Sequence, residues 1–323
     1  MFETQSNVAN GIGYWERCVP NYRIGDDRIV SVGEQPIGSN AVVPKRSTGL
    51  VIDPISVVAV GCSRLGSLLN PTPITEMRQM LRAAADVGIN VFDTANIYGQ
   101  GDSERELGRL FAKRSDIFIV TKGGYRFSSK LQLMSRLKPV LRPAIRAARL
   151  YRKAGDARGA MITQDFSAAS LTASLEESLR RLRRDAIDGF LLHDPGPADL
   201  SEDGAWSILC SHKTAGKVRY IGVSVGDDTD LDEISRLPSC DILQAPLDYL
   251  ASRCDTEGYR TLIERNTALF VREILRAKAS GFEDNKPISI SSALAAARSL
   301  PGVASVIVGL SSRDHLRSLL SAL

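Results

Sequence analysis

Ile117-Phe118-Ile119-Val120-Thr121-Lys122-Gly123-Gly124 is the stretch on which the fold turns. The run is rich in Ile, Val and Phe and lacks the polar alternation of a half-exposed strand, so both of its faces must be buried. A strand of that kind belongs in a parallel sheet covered by helices. Outward from it lie seven more short runs of similar character: Val57–Gly61, Asn90–Asp93, Asp188–His193, Tyr220–Ser224, Ile242–Gln244, Ala268–Val271 and Ser305–Val308. The segments between them carry helical periodicity. Glu76 to Gly88 places Met77, Met80, Leu81, Ala84 and Val87 on one stripe, with Gly88 as its stop. Ser167 to Leu182 repeats leucines at 171, 175, 179 and 182 behind a Ser167 N-cap. Ser292–Leu300 and Arg313–Leu320 are weaker examples.

Eight such strands alternating with helices predict an α/β fold, a (β/α)8 TIM barrel. An open doubly wound sheet is the rival, but Gly61-Cys62-Ser63-Arg64-Leu65-Gly66 after the first strand has the wrong glycine spacing for a dinucleotide fingerprint. The expected organisation is a single domain. Residues 1–50 form an N-terminal extension, with Arg28-Ile-Val-Ser-Val-Gly33 as a possible hairpin arm, and residues 51–323 form the barrel, with an insertion over about 125–163 after strand three.

The composition is that of an ordinary globular chain: 323 residues, 43% hydrophobic, 24% charged, net charge +4. These values exclude collagen, coiled-coil and disordered classes. No apolar run is long enough for a membrane span, no signal peptide is expected at the amino end, and the cytoplasm is the default location. Five cysteines (Cys18, Cys62, Cys210, Cys240, Cys254) share no close spacing, which argues against a disulfide framework and against a zinc site. The charge is uneven. Between Arg126 and Arg158 ten basic residues face Asp156 alone, a local charge of +9. Within it, Leu131 to Tyr151 mixes apolar and basic residues at near-helical spacing, interrupted by Pro139 and Pro143. Three readings stay open: a helical loop packed on the barrel, a lid whose arginines attract an anionic substrate such as a phosphorylated or acidic sugar, or a membrane- or nucleic-acid-facing surface. Nucleic acid is not expected, since aromatics for base stacking are few.

A barrel of this class places function at the carboxyl ends of its strands. Those ends carry Asp93, Lys122 and His193, with Tyr98 in the loop after strand two, and Ser224 and Gln244 further round. Each has an ordinary explanation: a turn cap for Asp93, a packed loop aromatic for Tyr98, a solvated strand end for Lys122, a structural histidine for His193. Their conjunction at one mouth is the stronger signal.

Phe92-Asp93-Thr94-Ala95-Asn96-Ile97-Tyr98-Gly99, followed by Ser103-Glu104 and Leu107-Gly108, resembles the signature of the aldo-keto reductases. Val120-Thr121-Lys122-Gly123-Gly124, Leu191-Leu192-His193-Asp194-Pro195, Lys217-Val218-Arg219-Tyr220-Ile221-Gly222-Val223-Ser224 and Leu243-Gln244-Ala245-Pro246 continue it in order, from about Pro54 to Leu320. The resemblance implies reduction of an aldehyde or ketone, or oxidation of the alcohol, with NADPH or NADH and no metal. A sugar or polyol dehydrogenase using NAD and a cofactor-binding regulatory subunit of little turnover are the alternatives. It also implies a tetrad of Asp93, Tyr98, Lys122 and His193. Hydride delivery to a carbonyl builds charge on oxygen and needs a proton donor, for which Tyr98 stands, with the Lys122 ammonium lowering its pKa. For the cofactor it implies Ser224 and Gln244 at the nicotinamide carboxamide and Arg272 near the pyrophosphate. Gly309, Ser311, Ser312, Arg313 and His315 would take the adenosine side, where a helix N-terminus suits phosphate. Ser312 has a rival role as a plain helix cap. The sequence departs from the family pattern at Val225, Leu247, Ser311, His315 and Leu319.

Overall fold

The structure, a computed structural model, describes residues 43–46, 54–67, 70–127, 162–201, 204–226, 228–275 and 289–323. The Arg28–Gly33 arm and the Leu131–Tyr151 helical pattern lie outside the described residues. Eight parallel strands close into a barrel in sequential order: β1 (Val58–Gly61), β2 (Val91–Asp93), β3 (Phe118–Gly123), β4 (Ile187–His193), β5 (Val218–Ser224), β6 (Ile242–Pro246), β7 (Ala268–Arg272) and β8 (Val303–Gly309), with β8 pairing back to β1. Every run read as a strand in the sequence is one.

Helices fill the outer layer: α1 (Ile74–Asp86), α2 (Asp102–Phe111), α3 (Ala168–Leu182), α4 (Ala205–Thr214), α5 (Leu231–Arg236), α6 (Leu247–Ala251), α7 (Glu257–Glu264), α8 (Ile290–Ser299) and α9 (Arg313–Ser321). None of the described helices is long and apolar enough to cross a membrane. The α1 helix is followed by Gly88 at φ +93°, and Ser167 caps α3 by accepting from the Ser170 amide at 3.3 Å.

Apolar side chains separate into two cores. One lies inside the barrel, where Phe118 stacks on Tyr220 with ring centroids 5.8 Å apart and also meets Phe270. The larger one lies between strands and helices. A short antiparallel ribbon, Lys45–Arg46 with Ile55–Ser56, meets the amino end of the barrel and sends Ile55 into the inner core. A second ribbon, Tyr125–Phe127 with Ile162–Gln164, rises from the carboxyl end and joins the two ends of the insertion.

Several strand ends shift by one residue from the sequence reading, and two strand starts shift by two. The β5 strand starts at Val218, since Arg219, although exposed, pairs with buried Asp188 on β4 at 3.0 Å. The β8 strand starts at Val303, where Val303 and Ala304 are buried and Ser305 donates to the Ser56 carbonyl at 2.9 Å. The cysteines also depart from expectation: Cys62, Cys210 and Cys240 are free thiols, but Cys254 is disulfide-bonded.

Candidate active site

The loop after β2 is stitched to β3 by its backbone. The Thr94 amide donates to the Val120 carbonyl at 2.8 Å and the Asn96 amide to the Lys122 carbonyl at 3.2 Å. Tyr98 then opens a kinked turn to Gly101 in which Gly99 and Gln100 both have left-handed backbone. Gly99 in that turn sits at φ +57°, and a Cβ there would lie 2.7 Å from the Leu65 carbonyl oxygen, so backbone packs on backbone where a side chain cannot fit. Thr94 and Ser103 share a hydrogen bond of 2.7 Å, and Ser103 donates to the Cys62 carbonyl. The Asp-Thr and Ser-Glu pairs of the sequence motif therefore brace the turn that carries Tyr98.

Lys122 is buried at 1% exposure and points into the mouth. Its ammonium donates to Asp93 Oδ1 at 2.6 Å and to the Thr94 carbonyl at 2.9 Å, and lies 5.3 Å from the centre of the Tyr98 ring. His193, at the end of β4, meets the Tyr98 ring edge-on at 6.1 Å between centroids. The four residues named from strand ends are thus one cluster. Asp93 Oδ1 also accepts from Gln244 Nε2 at 2.7 Å, and Gln244 Oε1 accepts from Ser224 at 2.8 Å. Ser224, Gln244, Asp93 and Lys122 form a continuous chain across the barrel that the sequence did not reveal.

The electrostatics differ from expectation in one respect. Desolvation pushes the Tyr98 phenol above its ordinary value of 10.0; Lys122 and Arg272 pull downward, but burial wins. The hydroxyl is therefore protonated at neutral pH. Burial, together with Lys122 and Arg272, holds His193 well below its ordinary 6.5, so the ring is neutral there. Asp194 lies beside it at φ +53°, and burial raises its carboxyl above the ordinary range. Burial likewise keeps the Cys62 thiol protonated, which removes it as a nucleophile.

Several polar atoms at this mouth are buried without a partner among the described residues: His193 Nδ1, Asp194 Oδ1, Arg272 Nε and Asn96 Oδ1. Unsatisfied groups of this kind are costly in a finished interior and suit a ligand. The ribbon adds Tyr125, whose ring meets His193 edge-on at 4.8 Å and whose hydroxyl lies 3.4 Å from Asp194 Oδ2, and Gln164, which donates to the Asp194 carbonyl at 2.8 Å. Sequence reasoning missed Tyr125, Gln164 and Asp194 as members of the site. The one available signal was Asp194 directly after His193.

The residues expected to hold a dinucleotide fall into two groups. Gln244 spends one amide proton on Asp93 and one oxygen lone pair on Ser224; its second proton and second lone pair match a carboxamide. Arg272 Nη2 donates to the Val225 carbonyl at 2.6 Å and Nη1 pairs with Glu273. Its charge is felt at Tyr98, His193 and Asp194. At the far side, Gly309 ends β8 with open space where a Cβ would stand, and Arg313 is exposed at the first turn of α9. Ser312 is the α9 cap, accepting from the His315 amide at 3.2 Å, and Ser311 bonds His315 Nδ1 at 3.1 Å. Leu247 and Leu319 are both buried at 1% exposure in the outer core and offer no face to a ligand.

The family model described as Aldo/keto reductase family matches residues 57–277. A D-threo-aldose 1-dehydrogenase from a Pseudomonas species is 30% identical over 231 residues, covering 70% of this chain and 64% of that protein. An L-galactose dehydrogenase from Arabidopsis thaliana is 30% identical over 184 residues, covering 55% of this chain and 46% of that one. The match thus spans about half to two thirds of these relatives' own length. An aldo-keto reductase from Bacillus halodurans in its holo form shares the fold, with a TM-score of 0.66 at 22% identity over 87% of this chain and 90% of its own.

Proposed function

The chain belongs to the aldo/keto reductase family, and from that premise we propose that it is an NAD(P)H-dependent oxidoreductase interconverting a sugar-like aldehyde or ketone with its alcohol. The observation that carries this reading is the cluster at the carboxyl mouth. A buried Lys122 ammonium is held on Asp93 at 2.6 Å, beside a neutral Tyr98 phenol and a neutral His193. When bound, the dinucleotide supplies or takes up a hydride at its nicotinamide ring; everything else falls to the protein.

In the reducing direction Tyr98 gives its hydroxyl proton to the oxygen that gains charge as the carbonyl carbon receives hydride. Lys122 stabilises the phenolate left behind, and solvent returns the proton. Asp93 holds the ammonium in place, and His193, kept uncharged, orients the carbonyl through a ring nitrogen. Ser224 and Gln244 would hold the carboxamide and Arg272 the pyrophosphate. Gly309, Ser311, Ser312, Arg313 and His315 would hold the adenosine side. Arg313 favours NADPH over NADH through a 2′-phosphate. A polyhydroxylated substrate suits the rim, where Asp194, Tyr125, Gln164 and Arg272 carry hydrogen-bonding groups. The named activities of the aldose and galactose dehydrogenases support the same class.

The test is binding of NADPH and NADH to the purified protein, followed by turnover with aldoses, polyols and apolar aldehydes, with Tyr98→Phe as control. Loss of the proton donor lowers turnover by about 10²- to 10⁴-fold while leaving dinucleotide affinity unchanged. Equal rates in the two proteins would remove Tyr98 from the chemistry. Apolar aldehydes preferred over every aldose would remove the sugar assignment.

A further inference from the structure

On the outer wall of the barrel, α2 packs against the carboxyl end of α3. Gly108 permits the contact: a Cβ there would lie 2.3 Å from the Arg181 carbonyl oxygen and 2.8 Å from the Leu182 carbonyl carbon. The close approach brings Arg105 and Arg109, one turn apart on α2, against Arg180, Arg181 and Arg183. These five guanidinium side chains line a cavity of about 240 Å³.

Carboxylates account for three of the five. Arg105 pairs with Asp102 at 2.7 Å, Arg109 with Glu106 at 2.6 Å, and Arg181 with both Glu104 and Glu177. Glu106 is shared, since it also takes both bonds of Arg78. Arg180 and Arg183 are exposed and have no ion pair among the described residues. The negative end of the α3 dipole favours one or two cations at this place. It does not explain five around one hollow, where like charges repel and the planar forks match the oxygens of a phosphate.

We propose that this cavity is a binding site for the phosphate groups of a small oligophosphate or phosphate ester, separate from the dinucleotide site at the strand ends. Arg180 and Arg183 supply the free charges. Arg105 and Arg109, each paired with a carboxylate of its own helix, supply further donors from α2. Arg181 is the rigid wall: it is tied to Glu104, which is itself bonded by Thr121 at 2.7 Å, and it rests against Gly101 of the Tyr98 turn.

The experiment is calorimetric titration of the full chain with inorganic pyrophosphate, with glycerol phosphate and with sulfate, all at one ionic strength set by sodium chloride. It is repeated on Arg180→Ala/Arg183→Ala, on Arg180→Lys/Arg183→Lys and on Arg313→Ala. Pyrophosphate is expected to bind wild type and Arg313→Ala alike, and the double alanine variant at least tenfold more weakly, with the lysine variant between them. Glycerol phosphate binding as tightly as pyrophosphate would assign the site to a single phosphate ester, whereas pyrophosphate alone would assign it to an oligophosphate. Thermal melts give a second readout. Pyrophosphate raises the melting temperature of wild type, and the double alanine variant, relieved of repulsion, melts no lower than wild type in chloride and gains nothing. Absence of binding, equal binding by wild type and the double alanine variant, equal response to sulfate and pyrophosphate, or loss of binding in Arg313→Ala overturns the proposal. So does retention on DNA or anionic vesicles that Arg180→Ala/Arg183→Ala abolishes without any pyrophosphate binding.

Discussion

Two buried carboxylates stand at opposite ends of this barrel and have been put to different uses. Asp188, at the amino end of β4, gives one oxygen to Arg219 at 3.0 Å and the other to Arg184 at 2.6 Å and the Ile119 amide at 2.8 Å. Arg184 in turn donates to the carbonyls of Phe111, Arg114 and Ile117. Both carboxylate oxygens are thus engaged, although Arg184 Nε is buried without a partner among the described residues. Asp93, at the carboxyl end of β2, holds one ammonium and one amide, and around it His193, Asp194 and Arg272 keep buried atoms without partners. The same pairing of acid and cation is closed by neighbours in one place and left open toward a ligand in the other. Openness of this kind costs stability and belongs where something binds.

Lys122→Met gives the largest expected effect. Turnover falls by about 10²- to 10⁴-fold, measured per folded molecule, because Tyr98 loses the charge that stabilises its phenolate. Asp188→Ala inverts the pattern. Stripping the carboxylate leaves Arg184 buried without its acid, at a cost of about 3–5 kcal/mol in urea unfolding, while turnover per folded molecule holds. A turnover loss in Asp188→Ala matching that of Lys122→Met would erase the contrast between the ends.

His193 sharpens the comparison through pH. The unfolded ring takes up a proton near its ordinary 6.5, whereas the buried ring resists until well below it. The native state therefore loses stability as pH falls below 6.5, by up to about 1.4 kcal/mol per pH unit. His193→Gln should flatten that part of the profile in melts between pH 5 and 6.5, roughly the window set by these ionisations. An unchanged slope would mean that another group titrates. The last effect is expected of Val225→Asn: the structure buries Val225 fully in the outer core, so an unpaired amide there should cost about 1–3 kcal/mol in urea unfolding. An unchanged midpoint would show instead that the new side chain finds a partner at the mouth.

Much of the barrel could be read before any coordinates. Strands such as Ile117–Lys122 carry their burial in their composition, and strand ends in a barrel share one mouth whatever the details, so Asp93, Lys122 and His193 could be placed together from order alone. Arg219 falls outside the Tyr220–Ser224 run because its partner Asp188 lies on the preceding strand, out of reach of any local pattern. The net upward shift of Tyr98 was missed for a related reason: the neighbouring charge is visible in a motif, but the loss of water around a ring is not. Ser312 caps α9 by accepting from the His315 amide at 3.2 Å, one of the two roles its place in the sequence offered.

Local chemistry, then, was enough for the succession of strands and helices and for naming the side chains that gather at the mouth, because both depend on residues close in the chain. Packing alone decided that Gln244 reaches Asp93 across the barrel, that Tyr125 leans on His193, and that arginines from α2 and α3 meet around one hollow. Those contacts join residues far apart in sequence, and their energies depend on burial and on angles that appear only when the barrel closes.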